Sequence, residues 1–113
     1  EMMLGAVHDP SFGPVVLIGR GGIHAEVLRD VAFAEAPLSQ STARAMIERL
    51  WIRPLLDGAR GAAPVDVAAL ARAVVAVSQL AGARGFRELD LNPVMVHEQG
   101  LTVVDALLIA EGG

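Results

Sequence analysis

Residues 88–108, ELDLNPVMVHEQGLTVVDALL, decide how the rest of the chain is read. Two apolar runs flank the polar stretch HEQG, His97 to Gly100, which predicts a β-hairpin with a four-residue turn. The first run carries Glu88, Asp90 and Asn92 on alternate positions, and alternate positions share one face of a strand. If the turn closes at His97 to Gly100, Val96 lies opposite Leu101, Asn92 opposite Asp105, and Asp90 opposite Leu107. Asp90, Asn92 and Asp105 then face the same way. Opposed residues have Cβ atoms about 4.5–5.5 Å apart, so an amide oxygen and a carboxylate oxygen reach one cation that takes oxygen ligands at about 2.0–2.1 Å. Mg²⁺ suits such a sparse set, because it keeps waters and takes further ligands from nucleotide phosphates. A register slip of one residue would send Asp105 to the other face. The same residues have a plainer reading, in which strand-end acids and amides face solvent or bond nearby backbone and Asn92-Pro93 is a turn dipeptide. Spacing alone leaves both open.

The 113 residues fit one domain, and 53% apolar content with three Phe and one Trp supplies a largely aliphatic core. The formal charge is −4 and the nine basic residues are dispersed, so no basic stripe exists to neutralise a nucleic-acid backbone. All nine are Arg; the chain has no Lys, the commonest point charge for phosphates. With zero Cys, disulfides, thiolate metal sites and thiol nucleophiles are excluded, which fits a cytoplasmic setting. No apolar run approaches the roughly 18–20 residues of a membrane span, and no signal peptide is expected. The chain opens on Glu1 and closes on EGG directly beside apolar runs, so it is expected to be part of something longer.

Along the chain, Met2 to Val7 and Val15 to Ile18 read as strands joined by HDPSFGP, a hairpin, and Val31 to Ala36 reads as a third strand. Ser39 caps a predicted helix whose positions Ala43, Met46, Ile47, Leu50 and Trp51 follow one helical face, ended by Pro54. PLLDGARGAAP reads as a loop. Asp66 caps a second helix with Val67, Leu70, Val74, Val77 and Leu80 at intervals of three or four. The order β-β-β-α-α-β-β predicts an α+β fold, a mainly antiparallel sheet with helices packed on one face.

Gly19, Gly21 and Gly22, with Arg20 between them, can turn backbone N–H groups toward an anion, and Glu26 can serve the same face. The pattern matches neither common phosphate-loop signature, and a tight connection requiring positive φ explains the glycines as well. Of the histidines, His24 lies two residues from Glu26, whereas His8 and His97 fall in predicted turns at the surface.

The string ELDLNPVMV…GLTVVDA resembles the metal-binding end of the ATP-grasp fold in NDP-forming acyl-CoA synthetases, the group of succinyl-CoA synthetase and ADP-forming acetyl-CoA synthetase. Residues 2–38, with a D-x-x-F-G-P turn and a Gly-Gly loop, and PLLDGARG are similar to other segments of that family. The resemblance implies that residues 1–113 are the second, metal-binding lobe of an ATP-grasp domain, with Asn92 and Asp105 as Mg²⁺ ligands and Asp90 beside them. It implies ATP as the nucleotide, with CoA and a carboxylic acid bound through other domains. The expected partners are a first ATP-grasp lobe, which supplies the missing Lys, and a CoA-binding domain. The implied reaction is carboxylic acid, CoA and ATP giving acyl-CoA, ADP and phosphate. An alternative is a non-catalytic regulatory module of a fused protein acetyltransferase, since similar ATP-grasp regions occur in such fusions.

Overall fold

Strand β1 (Met2–Asp9) turns back into β2 (Gly13–Arg20) because Asp9 organises the residues between them. Its Oδ1 accepts the N–H groups of Ser11 at 2.8 Å and Phe12 at 3.0 Å, and Gly13 completes the turn at φ 75°. The structure, a computed structural model, describes residues 1–21, 30–50, 52–58, 63–82 and 86–110. Trp51, Gly22, His24 and Glu26 lie outside them.

Strand β3 (Val31–Glu35) pairs with β2, and β4 (Phe86–Val96) pairs with the other side of β1. Along the far side of β4 run β5 (Leu101–Val103) and β6 (Ala106–Ala110). All pairings are antiparallel, in the order β3-β2-β1-β4 and then β5 and β6. Helices α1 (Gln40–Glu48) and α3 (Val67–Ala81) pack on one face, with the one-turn α2 (Arg53–Leu56) between them in sequence. The expected α+β architecture is present, and no described helix is long and apolar enough to cross a membrane.

Alternation sorts the sheet residues. Met2, Leu4 and Ala6 of β1, with Val16 and Ile18 of β2, are fully buried against Met46 and Ile47 of α1 and Leu70 and Val74 of α3. Both predicted caps form: Ser39 Oγ accepts Thr42 N–H at 3.2 Å, and Asp66 Oδ1 accepts Ala69 N–H at 2.9 Å. A buried serine joins the helical layer, since Ser78 Oγ accepts the N–H of Leu38 at 3.1 Å and donates to the Val75 carbonyl at 2.6 Å.

Three sequence expectations need correction. Helix α1 ends at Glu48 rather than at Pro54, because Arg49 and Leu50 close the last turn with bonds to Met46 and Ile47, turning Leu50 into the core. Pro54 instead sits in the first turn of α2, where a missing N–H costs no helical bond, so part of the predicted PLL loop is helical. His8 belongs to β1 rather than to a turn, and its Nε2 lies 3.2 Å from the Ala81 carbonyl at the end of α3.

Candidate metal centre

Strand β4 carries the acids and amide on the face away from the helices. Leu89 is buried and Leu91 half-buried on the helical side, so Asp90 and Asn92 point to the open side, where both are exposed. The predicted register holds. Val96 pairs with Leu101 and Asp90 with Leu107, and between these pairs the N–H of Asn92 donates to the Asp105 carbonyl at 3.2 Å. Asn92 and Asp105 are therefore directly opposed. The turn that sets this count is His97 to Gly100, with His97 N–H bonded to the Gly100 carbonyl at 3.0 Å and Gly100 at φ 77°.

A bulge lies at the same place. From Leu4 to Met2 on β1 is two steps, whereas their partners Leu91 and Val94 on β4 are three apart, so β4 accommodates one extra residue at Asn92-Pro93. The buried positions change from odd, Leu89, to even, Val94, across it. Such a bulge lets the lower half of β4 turn Asp90 and Asn92 outward while its upper half still fills the core.

The chemistry of this donor set fits a hard cation. Asn92 offers an amide oxygen, and Asp90 and Asp105 offer carboxylates; neither acid pairs with a described basic side chain. Asp105 is exposed, and its Oδ1 accepts the N–H of Ala106 at 2.9 Å, which leaves its second oxygen for a ligand. Among the described residues no three His, Cys, Asp or Glu side chains form a closed cage, so most ligands of any ion here come from water or a bound anion.

The glycine segment is not assembled with these groups. Arg20 N–H donates to the Asp30 carbonyl at 2.9 Å and Gly21 N–H to the Glu1 carbonyl at 3.0 Å, so both amides are taken up by backbone. Arg20 alternates with the buried Ile18 and lies toward the helical side, opposite Asp90 and Asn92. Gly19 and Gly21 do not have positive φ among the described glycines; their reason is closeness. A Cβ on Gly19 would stand 2.6 Å from the Asp30 carbonyl oxygen, and one on Gly21 2.8 Å from that of Met2. Gly22 and Glu26, also expected at this site, are outside the described residues.

Sequence reading missed a second duty of Asp66. Besides capping α3, its Oδ2 accepts Gly100 N–H at 2.8 Å, and its own N–H donates to the His97 carbonyl at 2.7 Å. These bonds fasten the turn of the site hairpin to the helical layer, and the Gly100 and Ala69 amides hold the Asp66 carboxyl below its usual range. No local signal marks a contact across 34 residues.

The described residues form a one-sided α+β layer, with Asn92 and Asp105 opposed on the face that the described helices leave open. The ATP-grasp domain family model matches residues 1–109, and the chain belongs to that family. It is 42% identical over 110 residues to subunit beta of acetate–CoA ligase [ADP-forming] I from Pyrococcus furiosus, covering 96% of this chain and 47% of that protein. It is 42% identical over 101 residues to 4-hydroxybutyrate–CoA ligase [ADP-forming] from Nitrosopumilus maritimus, covering 88% of this chain and 14% of that protein. Among solved structures, acetyl-coenzyme A synthetase 1 of Ca. Korarchaeum cryptofilum, in complex with coenzyme A and Mg-AMPPCP, matches with TM-score 0.94 and 40% identity over 97% of this chain and 52% of that one. The chain thus spans about half the length of the first of these relatives.

Proposed function

We propose that this chain is the second, metal-bearing lobe of the ATP-grasp domain of an ADP-forming acyl-CoA synthetase. One observation carries the reading. In a fold matching that of a synthetase solved with Mg-AMPPCP, the hairpin register sets Asn92 against Asp105 on the face that no described helix covers. The reaction of the whole protein is then carboxylic acid, CoA and ATP giving acyl-CoA, ADP and phosphate.

In this reading the nucleotide lies on the open face of the sheet. The Asn92 amide oxygen and the free Asp105 carboxylate oxygen hold Mg²⁺, with Asp90 beside them. A bound Mg²⁺ supplies positive charge against phosphate oxygens, the main electrostatic demand of phosphoryl transfer. Met3, Val7 and Leu17, half-buried on the same face, exclude water from one side of the nucleotide. This chain has no Lys, so cationic side chains on the phosphates other than Arg come from the rest of the protein, as do the sites for CoA and the acid. Its partners are accordingly a first ATP-grasp lobe and a CoA-binding domain, and its setting is the cytoplasm.

The test is Asp105→Ala in the full protein. Mg²⁺-dependent ADP formation is expected to be lost with the circular dichroism spectrum unchanged; normal turnover would remove Asp105 from the site. The 113 residues by themselves are expected to show no ligase turnover.

A further inference from the structure

We infer that Gly5 is a positioning residue for the metal end: its missing side chain lets β4 approach β1 closely enough to hold Asp90 and Asn92 where they serve. The inference rests on the metal reading above and goes beyond it, because Gly5 contributes no ligand.

Three facts carry it. Gly5 lies between the fully buried Leu4 and Ala6, so its side-chain position falls on the open side. It is paired directly with Asp90, in a cross-strand row that continues to Leu17 and Phe33 on one side and Leu107 on the other. A Cβ built on it would stand 2.8 Å from the carbonyl oxygen of Leu89, the residue before Asp90, and 3.7 Å from Leu17 Cγ. The backbone of Gly5 is not at positive φ, so the glycine answers to distance between strands and not to torsion.

The size of the required shift decides its consequence. Cβ contacts essentially never fall under 3.0 Å and are ordinary from 3.4 Å, so a methyl at position 5 opens β1 from β4 by about 0.2–0.6 Å. The obstacle is backbone, which cannot rotate aside. Next along β4 is the bulge at Asn92-Pro93, where the β1 pairing is already interrupted, so the displacement passes toward Asn92. Metal–ligand distances tolerate about 0.2 Å, and supporting residues around metal ligands typically account for about 10–100-fold in affinity or activity. The opening is therefore as large as, or larger than, the tolerance of the site it supports.

The experiment uses the full protein with Mn²⁺ as the probe and a non-hydrolysable ATP analogue present, free Mn²⁺ being read by electron paramagnetic resonance without turnover. Gly5→Ala is expected to remain folded and to weaken Mn²⁺ binding by about 10-fold or more. Ala6→Gly, which loosens the same strand from its helical side, is expected to bind Mn²⁺ within about twofold of the parent, well short of the effect of a lost supporting residue. If Asp105→Ala binds Mn²⁺ normally, the metal reading itself fails. If Asp105→Ala loses binding and Gly5→Ala keeps it, the metal reading stands and the inference is overturned. It is equally overturned if Ala6→Gly weakens Mn²⁺ as much as Gly5→Ala, or if Gly5→Ala fails to fold, since a local opening of a few tenths of an ångström leaves the core intact.

Discussion

Replacing Ser78 by Ala tests how the helical layer is fastened. Ser78 is fully buried in α3, and its hydroxyl is the acceptor for the N–H of Leu38, in the segment that enters α1. Its own bond to the Val75 carbonyl is dispensable, because a helical carbonyl keeps its main-chain donor four residues on. Truncation therefore leaves one buried amide without a partner, a loss of about 1–3 kcal/mol. For a domain of this size each kcal/mol lowers Tm by about 3–6 °C, so the expected drop is between about 3 and 18 °C. Urea denaturation followed at 222 nm gives the free energy directly, with an unchanged denaturant slope showing that the compactness of both states is preserved. Ser41→Ala is the control, because that exposed hydroxyl meets, among the described residues, only the Ser39 side chain; its change should stay within about 0.5 kcal/mol. A Ser78→Ala protein as stable as its parent would show that Leu38 N–H does not depend on the hydroxyl, and the reasoning would fail.

Two further outcomes follow from the turn of the site hairpin. The Gly100 and Ala69 amides lower the Asp66 carboxyl from its ordinary 3.8, so its contribution to stability is complete above that pH and is lost as pH falls through the lower folded value. Thermal melts from pH 7 to 3 should show Asp66→Asn less stable at neutral pH, with the gap narrowing in acid; a constant gap would refute the linkage. At Gly100, φ is 77° and, its two chain neighbours aside, no described atom lies within 4 Å of an added Cβ, so Gly100→Ala should cost about 1–2 kcal/mol from backbone conformation alone, measured by the same urea titration.

The hairpin register was legible because its turn is short, ends in a glycine, and leaves only one count between Asn92 and Asp105. Ser39 and Asp66 were legible as caps, since their side chains answer to amides three residues away. What escaped depends on separation in space. The glycines at 19 and 21 suggested an anion loop or a left-handed turn, yet they mark places where carbonyls of Asp30 and Met2 come too near for a side chain. Likewise Asp66 to Gly100 spans 34 residues, and the bulge in β4 is visible only once β1 lies beside it. Pro54 misled because the same residue that stops one helix is welcome in the first turn of the next.

The described helices shield one side of the sheet, while Phe12 in the β1–β2 turn and Phe33 on β3 are among the most exposed large apolar side chains, with Leu107 outward on β6. An unshielded surface of that kind makes self-association depend on whether a companion body covers it. Light scattering that rises with the concentration of these residues would report exposure of that surface.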